Sequence, residues 1–296
     1  MIKQLNGQEK IYCLPLADGT NWGLSATKSL EPWLDELAAI MQLKISTTTT
    51  IDRKVFFLAL NNENKQPSSC PNWDYVKQGS VYRIWSNSTV PETFIELNRD
   101  FIGHHEIKII NMWSTLKVIY RYYVDNSIGP VHAALAKLNN QGILIAAAGG
   151  TGKSTCSVRF PAPWQAIADD NALIIKKQPT NEFHVHPMPT WSDHLWSEKF
   201  STYNTANSVP LKAIFFLQQS TQDKATPIIK SVATHKIFTC FKQIWENYMT
   251  KLSKKEKIKM GHQLFNNACD LADNIPCYTL QATLDGKFWK EIEQVL

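Results

Sequence analysis

The chain has 296 residues, about twice the ~150 residues of an average domain, so its length allows one large domain or two ordinary ones. Hydrophobic residues make up 44% of it and charged residues 19%, a composition that can bury a core and that excludes a wholly disordered protein. The formal net charge of +5 is small, and Glu256 and apolar residues interrupt the densest basic segment, residues 251–259, so we expect no nucleic-acid partner.

The sequence carries no signal for export or for insertion into a membrane. Its first residues lack the apolar core and the cleavage site of a signal peptide. No window approaches the ~18 consecutive apolar residues of a spanning helix. The six cysteines form no CxxC pair, which favours reduced thiols. These observations predict a cytoplasmic protein with no membrane partner.

The N-terminal part alternates short strand-like runs with turns. Residues 11–16 and 20–24 flank Asp18-Gly19, a pattern typical of a β-hairpin. Pro32 suits the first turn of a helix whose apolar residues recur at helical spacing as far as Met41. Residues 113–123 fit a buried helix or a buried strand equally well. Further predicted strands, separated by a polar loop over residues 61–71, are residues 55–60, 81–85 and 105–111.

Asp125–Pro130 is the predicted domain boundary, because helices and strands alternate from there on. We therefore expect an N-terminal α+β domain of residues 1–127 and a larger α/β domain of residues 128–296 built on a mixed sheet. The helices predicted in the second domain are residues 131–137, a short helix from Lys153, residues 264–272 and residues 288–295. The strands predicted there are residues 142–147, 166–168, 172–175, 213–217 and 278–282.

The segment from Gly142 to Thr155 has the pattern of a phosphate-binding loop. An apolar strand leads into a loop that contains Gly149, Gly150, Thr151 and Gly152, and Lys153, Ser154 and Thr155 then open a helix. Glycines let successive backbone N–H groups face one anion, and the start of the helix adds partial positive charge. Lys153 would reach the β and γ phosphates of a nucleotide, and Ser154 would offer its hydroxyl to Mg²⁺. The strict pattern has a glycine where this chain has Ala147.

Two adjacent carboxylates, Asp169 and Asp170, follow an apolar run sixteen residues after Lys153. In proteins with a phosphate loop, an acidic residue at the end of a strand holds Mg²⁺. A pair of carboxylates allows a division of labour, in which one binds the metal and the other orients a substrate hydroxyl. An ordinary turn after a strand is the alternative, and the phosphate loop upstream makes it the weaker one.

These residues together resemble the HPr kinase/phosphorylase superfamily. The matching elements are Pro130-Val-His132-Ala, Gly149-Gly-Thr-Gly-Lys-Ser154 and Ala168-Asp169-Asp170. The resemblance implies an ATP-dependent kinase that phosphorylates a Ser or Thr hydroxyl with ATP and Mg²⁺ as cofactors. It implies that Asp169 is the catalytic base, Asp170 a metal ligand, Lys153 the phosphate-binding lysine and His132 an active-site histidine. The phosphorolysis element of the sugar-transport enzymes is missing, so we expect neither that reverse reaction nor an HPr substrate.

A longer pattern is similar to the kinase-like ScmC proteins of SynChlorMet peptide-modification cassettes. It comprises HHEIKIINMWS at 104–114, GGTGKSTCS at 149–157, DDNALI at 169–174 and HVHPMPTWSDH at 184–194. The similarity implies a ribosomal precursor peptide as the phosphate acceptor, and an N-terminal domain that recognises it. Relatives are often oligomeric, which leaves a homo-oligomer open. Two alternatives stay open as well: a nucleotide-binding adaptor without phosphotransfer, and a kinase for free serine or another small alcohol.

The remaining candidates lie outside the loop and the aspartates. His184 and His186 point the same way if they lie on one strand, but no further ligand follows at metal-site spacing, so a metal is not expected there. In the resemblance this segment lies beside the nucleotide, and His186, Thr190 and Trp191 are hypothetical substrate contacts; a structural loop with a buried tryptophan is the favoured alternative. For Arg159, an exposed helix position is favoured over a charge-stabilising role.

Overall fold

The computed structural model describes residues 10–46, 50–60, 74–78, 82–87, 90–98, 103–147, 149–196, 201–250 and 252–296. These residues form two compact units. The first consists of described residues up to Val118 together with Trp191–Ala206, and the second of Ile119–Thr190 and Asn207–Leu296. Compactness alone does not show independent folding, so the domains of residues 1–127 and 128–296 stay a prediction. The predicted polar loop over residues 61–71 lies outside the described residues.

The first unit is built on a seven-stranded sheet in the order β3-β1-β2-β4-β7-β6-β5. Its strands are β1 (Tyr12–Pro15), β2 (Asn21–Ala26), β3 (Lys44–Ile45), β4 (Arg53–Leu60), β5 (Asp74–Gln78), β6 (Tyr82–Ser86) and β7 (Glu92–Asn98). Strands β1 and β2 pair antiparallel, which confirms the predicted hairpin. The central strands β2, β4 and β7 are parallel to one another.

Seven α-helices lie within the described ranges: α1 (Glu31–Ile40), α2 (His105–Asn126), α3 (Lys153–Arg159), α4 (Trp191–Trp196), α5 (Lys230–Met249), α6 (Lys254–Asn274) and α7 (Phe288–Glu293). Helix α1 starts at the predicted place, with Pro32 in its first turn, and it buries Trp33, Leu34 and Leu37. No helix of these ranges combines the length and the apolar character that crossing a bilayer requires.

The strand predicted at residues 105–111 is wrong, because this segment is the first part of α2. The alternation of Ile107, Ile109 and their polar neighbours covers too few residues to decide between the two structures. Over the whole segment, burial follows a helical period, with fully buried side chains at Ile109, Met112, Leu116, Ile119, Tyr120, Tyr123 and Val124. The ambiguous segment 113–123 is therefore helical as well.

The second unit is built on a nine-stranded mixed sheet. Its strands are β8 (Ile128–His132), β9 (Ala134–Leu138), β10 (Gln141–Ala146), β11 (Gln165–Ala168), β12 (Asn171–Lys176), β13 (Phe183–Met188), β14 (Val209–Gln219), β15 (Lys224–Pro227) and β16 (Cys277–Ala282). Seven of them follow the order β11-β9-β10-β14-β13-β12-β8, and β16 pairs with both β14 and β15. Strands β10, β14 and β16 run parallel, whereas the other pairings are antiparallel. The prediction of an α/β fold on a mixed sheet is confirmed.

The helix predicted at residues 131–137 is also wrong, since this segment forms the end of β8 and most of β9. Its alanines and Leu135 favour a helix by intrinsic propensity, but such preferences are worth less than ~1 kcal/mol per residue and tertiary contacts override them. Strand β8 pairs with β12, which sets His132 opposite Asn171. Strand β9 pairs on both sides, with β10 and with β11. The segment thus takes part in three strand pairings that no local pattern indicates.

Strand β10, which leads into the glycine-rich loop, contributes to the buried core of the second sheet. Ile143 and Ile145 of β10, Phe215 of β14 and Leu280 of β16 form one core cluster, which Phe288 of α7 completes. All five side chains are completely buried. The loop that follows β10 therefore begins at the buried core of this unit.

Candidate active site

The glycine-rich loop between β10 and α3 has the backbone that its sequence predicts. Gly150 and Gly152 have positive φ angles, +75° and +103°, which L-residues with side chains rarely adopt. A Cβ atom built on Gly149, Gly150 or Gly152 would meet no atom within 4 Å, so the space beside these residues is open. The positive φ angles of Gly150 and Gly152 and the open space beside all three glycines thus suit the close approach of a phosphate to the backbone.

Lys153, the first residue of α3, is only 8% exposed although it is a lysine. Its ammonium group donates a hydrogen bond to the carbonyl oxygen of Ala147, at 3.0 Å, and lies 3.0 Å from Nε2 of His132. Ala147 occupies the place where the strict pattern has a glycine. It contributes its main-chain carbonyl to Lys153, a contact that needs no particular side chain.

His132 connects Lys153 to the aspartate pair. Its Nδ1 lies 3.1 Å from Oδ1 of Asp170. An ammonium group can only donate, so Nε2 must accept from Lys153 and the ring proton must sit on Nδ1, which donates to Asp170. Burial lowers the pKa of His132 below its usual 6.5 and the charge of Lys153 lowers it further, against the opposing effect of Asp170. The histidine is therefore neutral at pH 7, in the tautomer that this chain of hydrogen bonds requires.

The two aspartates lie in the short connection between β11 and β12, close to the end of β8. Pairing of β8 with β12 brings His132 beside Asn171, the residue that follows Asp170. The backbone N–H of Asp169 donates to the hydroxyl of Thr190, at 3.4 Å. Its carboxylate oxygen Oδ1 is buried and accepts no hydrogen bond from any described residue. A buried acceptor without a donor is costly, and such groups often mark the place of a ligand.

The structure thus brings together part of the predicted site. Lys153, His132 and Asp170 form one hydrogen-bonded chain. The hydroxyl of Thr190 accepts a hydrogen bond from the backbone N–H of Asp169. Ser154 and Thr155 are exposed at the start of α3, and Thr151 is half-buried in the loop. The assigned roles of these residues stay predictions.

All three hypothetical substrate contacts are buried, and Thr190 among them is 1% exposed. His186, 1% exposed on β13, stands opposite Leu173 of β12. Trp191, 2% exposed, belongs to the first unit, where its ring lies 6.0 Å from that of His194.

Whether the site suits Mg²⁺ depends on which donor atoms it offers. No group of three or more His, Cys, Asp or Glu side chains gathers as a metal site within the described ranges. A Mg²⁺ ion on a nucleotide needs fewer protein ligands, since it keeps several waters and takes one or two carboxylates besides the phosphates. The carboxylate of Asp170 and the exposed hydroxyl of Ser154 are oxygen donors of that kind. Asp170 and Ser154 therefore offer the kind of ligand atoms that Mg²⁺ prefers.

Sequence analysis missed a second feature of this unit, the loop that follows β16. Arg159, which we expected to be exposed on α3, donates instead to the backbone carbonyls of Thr283, at 2.8 Å, and Gly286. Its guanidinium also lies over the ring of Phe288, 5.2 Å from the centroid. The carboxylate of Asp223 accepts from the N–H of Thr283 at 2.7 Å. In the sequence, the Asp285-Gly286 dipeptide is the feature that indicates a turn here.

The fold and this site define a mixed α/β protein in which Lys153, after a glycine-rich loop, is linked through His132 to Asp170. Residues 97–296, two thirds of the chain, match the family described as "SynChlorMet cassette protein ScmC". The chain therefore belongs to the ScmC family.

Curated and solved proteins do not extend this family assignment. No curated protein matches the chain significantly. One similar solved structure is described as the Hpr(Ser) kinase/phosphatase from Coxiella burnetii, with 16% sequence identity over 34% of this chain and 71% of that chain, and a TM-score of 0.23. A similarity of this size carries no inference about fold or activity.

Proposed function

We propose that this protein is an ATP-dependent kinase that transfers the γ-phosphate of ATP to a Ser or Thr hydroxyl. The observation that carries the proposal is the hydrogen-bonded chain from Lys153 through His132 to Asp170, next to the unpartnered buried oxygen of Asp169. It joins a phosphate-binding element to a pair of carboxylates, and phosphoryl transfer to a hydroxyl needs both.

In this proposal the loop of residues 149–155 holds the triphosphate. The glycines at positions 149, 150 and 152 leave the backbone accessible. Lys153 exchanges its contact with the Ala147 carbonyl for a phosphate oxygen, because an anion is a far stronger partner for an ammonium group than a neutral carbonyl. His132 keeps its bond to Asp170 and so holds that carboxylate in place during the exchange.

Asp170 and Ser154 would hold Mg²⁺, which when bound neutralises the negative charge of the β and γ phosphates. Asp169 acts on the other reactant. Its buried Oδ1 accepts a hydrogen bond from the incoming hydroxyl and orients the oxygen toward the γ-phosphorus. As the new O–P bond forms and the bond to the leaving ADP breaks, the hydroxyl proton passes to Asp169. General-base assistance of this kind contributes typically ~10²–10⁴ to the rate.

The acceptor in this proposal is a ribosomal precursor peptide, which rests on the family to which the chain belongs and on the resemblance stated above. The first unit, with its own sheet and helices, is the proposed recognition module for that peptide. Two results would replace this part of the proposal. One is phosphorylation of free serine, and the other is binding of the peptide as an adaptor without phosphotransfer.

The test is incubation of the purified protein with Mg-ATP and the peptide encoded beside its gene, followed by mass spectrometry. We expect one added phosphate on a Ser or Thr, and its loss in Lys153→Ala and Asp169→Asn. Lys230→Ala and Asp273→Asn are matched controls, since these residues form an exposed ion pair elsewhere in the same unit. Tight nucleotide binding without transfer to the peptide or to free serine would refute the kinase and favour the adaptor.

A further inference from the structure

We propose that a cavity beside the phosphate loop binds the nucleoside part of the nucleotide, an inference that rests on the kinase proposed above. The cavity has a volume of about 300 Å³. That is at the lower end of the ~300–1,000 Å³ typical of small-molecule sites, and suits a base with its ribose more closely than a larger ligand. The proposed phosphate transfer gives no role to Leu217, Ala282 or Leu284, which line the cavity.

The position of the cavity connects it to the phosphates. Thr151, Gly152 and Thr155 of the proposed phosphate-binding segment line one side of it. Leu217 and Ala282 line it from the ends of β14 and β16. These two strands run parallel to β10, whose end leads into the loop, so all three carboxyl ends face the same edge of the sheet. Open α/β sheets bind their ligands at this edge.

The rim of the cavity is fixed before any ligand arrives. The loop after β16 is tied to α3 at two points, because Arg159 donates to the carbonyls of Thr283 and Gly286. Asp223 secures the same loop from another side by accepting from the N–H of Thr283. Between these ties, Leu284 lines the cavity and is nevertheless 73% exposed. A fixed loop that presents a large apolar side chain to solvent at a cavity is preorganised for an apolar surface.

The chemistry of the lining matches a nucleoside, which has apolar faces on its base and hydroxyls on its sugar. Leu217, Ala282 and Leu284 offer the apolar contacts. The hydroxyls of Ser220 and Thr155 are suited to the ribose. Arg159 is already occupied by two backbone carbonyls, so it shapes the rim and is not needed for the phosphates.

The experiment compares the binding of Mg-ADP with that of Mg-pyrophosphate, which lacks the nucleoside, by isothermal titration calorimetry. We expect the wild type to bind ADP at least about tenfold more tightly than pyrophosphate. Ser220→Trp, which fills the cavity, should remove this preference while pyrophosphate affinity stays unchanged. Leu284→Ser should reduce it several-fold. Ile229→Ser is the matched control, because Ile229 is 70% exposed in the same unit and does not line the cavity.

The outcomes separate the two proposals. If both ligands bind and the preference for ADP survives in Ser220→Trp and Leu284→Ser, the nucleoside lies elsewhere and this inference is wrong, while the kinase stands. If the wild type binds neither ligand, the proposed function fails, and this inference with it. Unchanged pyrophosphate binding in each variant shows that the phosphate loop is still folded.

Discussion

Replacing Asn267 with leucine should destabilise the second unit by about 2–6 kcal/mol. Asn267 of α6 is 8% exposed, and its side-chain amide donates to the carbonyl oxygens of Val124, at 2.9 Å, and Ile128, at 2.7 Å. Leucine keeps the size of the side chain but leaves two buried carbonyls without a donor, at ~1–3 kcal/mol each. Water that reaches one of them would bring the sum toward the lower figure.

This contact matters for the site because it holds the turn from which β8 starts. Ile128 has a φ of +92° and Gly129 one of +116°, and a Cβ at Gly129 would collide with Val124. Strand β8 then carries His132 toward Lys153 and Asp170. Loss of the amide should therefore also loosen the histidine.

The assay is urea denaturation of the full-length protein, with hydrogen–deuterium exchange to locate the opening in β8 and α6. Asn266→Leu is the matched control, since the neighbouring side chain is exposed and should change stability by less than about 0.5 kcal/mol. A loss below about 1 kcal/mol for Asn267→Leu, or equal losses in the two variants, would refute the assignment of two buried hydrogen bonds.

Three further predictions concern the rim loop, a helix cap and the histidine. Gly286→Ala should cost about 1–3 kcal/mol and weaken ADP binding, because the new Cβ would displace the carboxylate of Asp223 from the loop. Ser253→Ala should cost ~1 kcal/mol in urea denaturation, because it removes the capping box that Ser253 and Glu256 form at the start of α6. Stability should fall as the pH drops from about 7.5 to about 5.5, since the folded state lowers the pKa of His132 and the unfolded chain takes up the proton more readily. His132→Gln should make this decline shallower.

Each of these predictions has a control in the same unit. Gly261→Ala, in the interior of α6 with free space around it, should stabilise the protein by up to ~1 kcal/mol. Lys254→Ala leaves the cap of α6 intact. His262→Gln removes an exposed histidine instead of a half-buried one. A decline with pH that is as steep in His132→Gln as in the wild type would show that other groups cause it.

The elements that sequence analysis predicted correctly are those whose pattern is local. Three features encode their structure within a few residues. They are the turn dipeptide between two short strands, the proline at a helix start, and the glycine loop between an apolar strand and a lysine. Of the two wrong segments, residues 105–111 were too short a stretch to reveal the helical period, and residues 131–137 depended on partner strands elsewhere in the chain. Residues 131–137 became strands because β10, β11 and β12 offered them hydrogen bonds, which outweighed the preference of alanine for helices.

The candidate site shows the same limit. The types and spacing of Lys153 and the two aspartates predicted a phosphate site, and His132 entered through the family resemblance. Sequence alone could not show that His132 bridges the lysine and Asp170, since this follows from the pairing of β8 with β12. Nor could it show the loop tied down by Arg159, because its partners are backbone carbonyls more than a hundred positions away.

The course of the chain between β13 and β14 has a consequence for biosynthesis. Residues 191–206 belong to the first unit, where the backbone N–H of Tyr203 donates to Ile40 and both the N–H and the hydroxyl of Thr205 donate to Met41. A ribosome delivers these two residues long after helix α1, whose C-terminal carbonyls they bind. These contacts of the first unit can therefore form only after Ile119–Thr190 of the second unit has been synthesised, and a fragment that ends near residue 127 would leave the carbonyls of Ile40 and Met41 without these donors.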